Sequence, residues 1–258
     1  MRLYMKFFAL HLKRAMAYRR SFWFGTIGQF IMSFTAWLGM RFLLGRFGDV
    51  KGYTLAECTL CGGIVLTAFS LAECFFRGFD HFDTLVRQAR LDRLLLRPRG
   101  VLFQVLCEEM EFNRAGRLLQ GGVMLAWGVS AAGIAWTPLR VAALLLMVIC
   151  GAVVFGGLYV VQAALCFVTL EGLEAMNVFT YGAREYGVYP VDVYGRGALR
   201  FCTFLIPYAL FQYWPLQYLL GRSGDARLAF APLLAAWFLA PCALAWRAGL
   251  RKYASAGS

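Results

Sequence analysis

The sequence predicts an all-α integral membrane protein with six transmembrane helices. Three observations carry that expectation. The 258-residue chain is 60% hydrophobic, with a mean hydropathy of +0.61 and only 16% charged residues. Soluble domains carry about 25% charged residues, so a bilayer is the natural solvent here. Apolar runs of about 20 residues, long enough to cross that bilayer, recur along the chain. The 26 Lys and Arg, against 14 Asp and Glu, gather in the gaps between those runs. A net charge of +12 taken alone suits nucleic acid or anionic lipid. Its placement between apolar runs fits the positive-inside pattern instead, and no nucleic-acid partner is expected.

Residues 1–20, MRLYMKFFALHLKRAMAYRR, plot as an amphipathic helix. Lys6, Lys13 and Arg20 recur on one face with Arg2, while Tyr4, Phe7, Phe8, Leu12 and Ala15 take the other. That pattern suits a helix lying in the membrane interface. The alternative is a plain flank of the first span, and both readings place it in the cytoplasm. The stretch lacks a short apolar core with a small-residue cleavage site, so no cleavable signal peptide is expected.

The first two spans fall at about 21–44 and 54–76. A charged region, 77–117, follows with eight arginines. The third span falls at about 118–136, Pro138 breaks the chain, and the fourth covers about 141–168. Residues 169–227 hold two competing segments. The 201–221 segment is apolar and aromatic, but Pro207 and Pro215 would free backbone groups that lipid cannot satisfy. It reads as a re-entrant element near the outer interface. Residues 171–189 are taken as span five and 228–246 as span six. Both ends then lie inside, with seventeen basic residues in the cytoplasmic gaps against seven in the outer ones.

Residues 82–97, FDTLVRQARLDRLLLR, read as one cytoplasmic amphipathic helix. Arg87, Arg90, Arg93 and Arg97 share an arc of about 120°. Phe82, Leu85, Ala89 and Leu96 share a neighbouring arc, and Pro98 ends the helix. Either the apolar side packs on the spans or it fills a protein groove. Either the arginines meet an acidic partner or anionic lipid, or the segment is an ordinary positive loop that sets topology.

Ionisable residues within spans are costly and default to functional hypotheses. Arg41, Glu57 and Glu73 are the main ones here, with snorkelling to the interface as the alternative for both glutamates. Glu171 and Glu174 sit before span five, either pairing with arginines of 77–117 or capping a helix. Glu108, Glu109 and Glu111 are placed to pair with Arg114 and Arg117. The eight cysteines are scattered, and Cys58-x-x-Cys61 lacks the second pair or histidines that a metal would need. No catalytic cluster is visible, and no metal site is expected. A P-loop is absent, since none of the four lysines, Lys6, Lys13, Lys51 and Lys252, follows a glycine. Energy from ATP would have to come from a separate subunit.

Two stretches carry a family resemblance. RGFDHFDTLVRQARLDRLLLRPRGVLFQVL holds a Gly-Phe-Asp turn, a Leu-rich helix and Arg-Pro. YPVDVYGRGALRFCTFLIPYALFQYWPLQYLLG holds Tyr-Pro, Val-Tyr, a Leu-Arg step, Ile-Pro and a closing Leu-Leu-Gly. Together they resemble the ABC-2 class of ABC-transporter permeases, on the branch related to viologen- and drug-exporter permeases. The resemblance covers essentially the whole chain in spacing and topology. It departs at Tyr194-Gly195-Arg196, where members often carry a second proline, and this bears on the shape of the outer cap.

The resemblance implies a single transmembrane domain over 1–258 that forms the pathway of an exporter. It has an interfacial helix at 1–20, a coupling region within 77–117 and an outer cap at 188–221. The coupling element would dock on ATPase subunits, which bind ATP and Mg. Phe79, Asp80, Phe82, Leu85, Arg87, Arg90, Arg93 and Arg97 would form it. Pro190, Pro207 and Pro215 would shape the cap. The resemblance also implies a second permease copy or a paralogue as partner, a bacterial inner-membrane location and no enzyme activity in this chain alone. The competing expectation is an ATP-independent carrier or channel; a repeat of two halves, which would favour it, is not visible.

Overall fold

The computed structural model describes residues 2–169 and 173–253. Within them the chain is helical, apart from one antiparallel bridge between Val50 and Tyr53. Four stretches are long and apolar enough to cross a membrane: Arg19–Phe47, Leu55–Phe75, Pro138–Cys166 and Ala226–Lys252.

Helix α1 (Arg2–Ala17) and helix α2 (Arg19–Phe47) are separated by Tyr18, which leaves helical geometry. Helix α3 (Leu55–Phe75) is the central one: 78% of its apolar window is buried, against 11% for α2. It starts at a capping box. Glu57 accepts the Thr54 N–H at 2.8 Å, and the Thr54 hydroxyl accepts the Glu57 N–H at 3.4 Å.

Four short helices follow: α4 (Arg77–Asp80), α5 (Phe82–Arg87), α6 (Arg90–Leu95) and α7 (Val101–Glu108). Helix α8 (Ala115–Ala131) then lies along α3. The approach is close enough that a Cβ at Gly128 would sit 2.8 Å from the Leu60 backbone. Small residues at helix contacts are the usual device for such packing in lipid. Helix α8 stops before the end of the 118–136 run, because Gly133 adopts a positive φ of 61°. Helix α9 (Pro138–Cys166) begins where Thr137 accepts the Arg140 N–H at 3.3 Å, with proline in the first turn. Phe69, Phe155 and Tyr159, all fully buried, form the α3–α9 core.

The 171–189 run is continuously helical over 173–186, but not regularly α-helical. It divides into α10 (Leu173–Asn177), a π-helical turn (Val178–Gly182) and α11 (Ala183–Tyr186). It nevertheless runs antiparallel to α3: Tyr181 packs on Phe69, Gly187 on Val65 and Val188 on Gly62. After a 3-10 turn (Val191–Tyr194) come α12 (Arg196–Phe204), α13 (Tyr208–Phe211) and α14 (Tyr213–Leu219).

The chain reverses at Ile206-Pro207. Phe201 stacks on Phe179 and Tyr208 packs at a tilt against Phe155, whereas Leu216 and Leu219 return to Leu60 and Met147. The last stretch, Ala226–Lys252, passes through 3-10 turns and α15 (Ala231–Leu234) into α16 (Leu239–Lys252).

Helix α1 and the residue that follows α16 both meet the 77–117 region. His11 Nε2 lies 3.0 Å from the Cys107 carbonyl, and the Tyr253 hydroxyl donates to Asp92 at 3.0 Å.

Candidate functional site

Two short helices, α5 and α6, replace the single helix expected over 82–97. The break falls at Ala89, which is left-handed with φ 51°. Side-chain direction explains it. On a straight helix, Leu91 and Leu94 would point about 180° and about 120° away from Phe82. The break lets Phe82, Leu85, Leu91 and Leu94 enter one core. That burial, about 1.5–3 kcal/mol per large side chain, exceeds the roughly 1–2 kcal/mol cost of a left-handed alanine.

The buried half of the segment is an aromatic wedge. Phe82 meets Phe167 and Trp246 edge-on, with ring centroids 5.0 and 5.3 Å away. Phe79 meets Trp246 at 5.6 Å. Both phenylalanines are fully buried, so α4 and α5 are seated on the ends of α9 and α16. Gly78 is required, because a Cβ there would run into the Val105 carbonyl oxygen. The outer half is different. Leu96 is 87% exposed, and Arg87, Arg93 and Arg97 are exposed beside it. Arg90 is held by an ion pair with Glu108.

Behind the wedge lies a buried ionic chain. Arg77 pairs with Asp80, and the Tyr181 hydroxyl joins both, at 2.9 Å from Arg77 and 2.7 Å from Asp80. Gln162 of α9 donates to the other Asp80 oxygen at 3.2 Å. Arg77 also pairs with Glu111 at 2.8 Å, and Arg114 with Glu111 at 3.2 Å and with Glu73 at 3.6 Å. Arg117 completes the chain through an ion pair with Glu73 and two hydrogen bonds to Gln29, at 3.0 and 2.7 Å. The chain thus links α2, α3, α4, α8, α9 and the π-helical turn. Its three arginines match Glu73, Glu111 and Asp80, which is how charge is tolerated at such depth. A π-helical turn is a common mark of a functional site, and this one carries Tyr181 into the network.

His81 and Glu109 form a more exposed pair, 3.2 Å apart. The hydrogen bond to Glu109 outweighs burial and raises the His81 pKa above its ordinary 6.5. The same bond lowers that of Glu109 below its ordinary 4.5.

At the opposite end, the loop after α2 is clamped to residues 192–222. The Tyr53 hydroxyl donates to Asp192 at 3.1 Å, and Gln217 donates to the Tyr53 hydroxyl at 2.6 Å. Arg222 reaches Glu57 at 2.8 Å and covers the Tyr53 ring at 4.1 Å.

The sequence-predicted residues separate accordingly. Glu73 does not snorkel; it is fully buried in the ionic chain. Glu57 is a helix cap held by Arg222. Arg41 is exposed and packs over Trp37 at 5.8 Å. Glu174 is exposed in the first turn of α10, and Glu171 lies outside the described residues. Pro190 precedes the 3-10 turn, Pro207 precedes α13, and Pro215 sits in the first turn of α14. Arg114 does pair with Glu111, but Arg117 pairs with Glu73 rather than with the 108–111 acids. Tyr181, Gln162, Gln29, Phe167 and Trp246 went unnoticed at the level of sequence. The one available signal was Gln162, an amide inside the apolar 141–168 run. Among the described residues no group of three His, Cys, Asp or Glu could hold a metal, and Cys58 and Cys61 are buried thiols.

A protein-family model described as "ABC-2 family transporter protein" matches residues 30–257. No curated protein and no solved structure matches the chain.

Proposed function

The chain belongs to the ABC-2 family transporter proteins, and from that premise we propose that it is the permease subunit of an ATP-driven exporter, with ATP and Mg bound by separate ATPase subunits. Two copies, or one copy and a related chain, form the pathway. The domain covers 1–258 and crosses six times, by the four long stretches together with α8 and the 173–186 segment. The alignment of both along α3 supports this count. The chain ends and 77–117 face the cytoplasm, a reading supported by their mutual contacts and by the excess of basic residues there. The 188–221 segment caps the outer side as a re-entrant hairpin. Its reversal at Pro207 and its clamp to Tyr53 support that assignment.

The observation that carries the proposal is the two-sided build of 77–97. An aromatic wedge, Phe79 and Phe82, seats on Trp246 and Phe167, while Arg93, Leu96 and Arg97 face outward. A lever needs such a form: one edge for the ATPase and one rigid face for the spanning helices. Closure of the ATPase pair would press the wedge on α9 and α16, and Asp80 would carry the movement to Tyr181. The test is R93E/L96D/R97E, co-expressed with the ATPase subunit. The expected result is normal membrane insertion with loss of the co-purified ATPase and of stimulated ATP hydrolysis. Unchanged complex yield and unchanged hydrolysis would overturn the assignment.

A further inference from the structure

A cavity of about 340 Å³ opens between α2, α3, α8 and α11. Its walls change character along its length. At the end nearer the 77–117 region stand Gln29, Arg117 and Arg184; towards the other end, level with Thr59 and Gly62 of α3, stand Trp37, Met124 and Val188. The two guanidiniums are fixed in different ways. Arg117 is held by Glu73 and Gln29, with Glu73 fully buried behind it. Arg184 lies over the Phe69 ring at 5.5 Å and pairs with Glu185, whose side chain is 54% exposed. The lining therefore holds two cations and one half-solvated carboxylate. Met32 at the rim of α2 is 75% exposed, so the mouth is apolar and lateral.

A cationic head end, an apolar tail end and a sideways mouth match an amphiphile lying parallel to the helices. From this polarity we infer that the cavity binds an anionic phospholipid of the leaflet on the 77–117 side. Its phosphate meets Arg117 and Arg184, and one acyl chain runs past Trp37 and Met124. Arginine suits this role, since its planar fork matches phosphate oxygens and it is less strongly hydrated than lysine. The inference does not depend on ATPase coupling, so it stands or falls separately from the proposal above.

The test uses the full chain, purified in detergent with phosphatidylglycerol or phosphatidylcholine of equal chain length. Retained lipid is counted by native mass spectrometry. Phosphatidylglycerol should be retained preferentially. Arg184→Gln should weaken its retention about fivefold, the effect of one cation near an anionic headgroup. Ala36→Trp, which fills the tail end, should displace it with both arginines intact. Arg184→Gln leaves the buried ionic chain untouched, and its unfolding temperature in lipid-free detergent checks the fold; if one variant is lost to misfolding, the other decides. Equal retention of the two lipids would overturn the inference. So would phosphatidylglycerol retention that neither substitution changes, because the lipid would then sit elsewhere.

Discussion

The Tyr181 hydroxyl donates to Asp80 at 2.7 Å, joining the π-helical turn to the first residues after α3. One hydroxyl therefore connects the segment proposed to receive movement with the 173–186 helical segment. Tyr181→Phe removes that hydrogen bond and leaves Asp80 to Arg77 and Gln162. The expected stability loss is about 1 kcal/mol. ATPase stimulation by the permease should fall while complex yield stays normal, as measured on reconstituted complex. Normal stimulation in a folded Y181F protein would remove Tyr181 from the coupling route.

Glu73 and Glu57 should respond very differently to truncation. Glu73→Ala leaves Arg117 buried without its carboxylate, which costs about 3–5 kcal/mol. Glu57→Ala loses a partly exposed pair and a capping interaction, together about 1–2 kcal/mol. Thermal unfolding in detergent separates the two. A Glu73 variant as stable as a Glu57 variant would mean the ionic chain is not closed as described.

The His81–Glu109 pair predicts a pH window. The raised His81 pKa stabilises the fold fully below its ordinary 6.5, and that contribution is lost as pH rises through the raised value. The lowered Glu109 pKa stabilises the fold above its ordinary 4.5, and that contribution is lost as pH falls through the lowered value. The stability gap between the parent protein and His81→Gln should be widest between those ordinary values. It should shrink as pH rises through the raised His81 value. A gap independent of pH would show that the pair does not form.

Gly128→Leu tests the α3–α8 contact. A side chain there meets the Leu60 backbone at 2.8 Å, and backbone cannot yield as a flexible side chain would. The cost should be at the upper end of overpacking, about 3 kcal/mol, read as a lowered unfolding temperature. Gly122→Leu on the same helix has open space and should be nearly neutral.

Much of the bundle was legible because its signal is local. Runs 21–44, 54–76, 141–168 and 228–246 are apolar over enough residues to declare themselves as crossings. The segment containing 173–186 declared itself weakly, because its polar groups find partners far away in sequence. Tyr181 reaches Asp80, and Arg184 covers Phe69. The break in 82–97 was hidden for another reason. It falls on Ala89, the best helix former, and is driven by where Leu91 and Leu94 find their core. Glu73 illustrates the same limit. Its position in an apolar run marked it as unusual, but its partners Arg114 and Arg117 come from beyond the intervening loop. What the residues did show early was that 77–97 combines an apolar and a cationic character; packing then decided which residues serve which side.

The most direct test of the central claim places a photo-crosslinking residue at position 96 in the complex with its ATPase. Leu96 is the most exposed large apolar side chain of 77–97. The expected result is a crosslinked band joining permease and ATPase, lost when the probe is moved to the buried position 85. Crosslinking of position 96 only to lipid, or labelling of it from the outer face of intact cells, would rule out the coupling role.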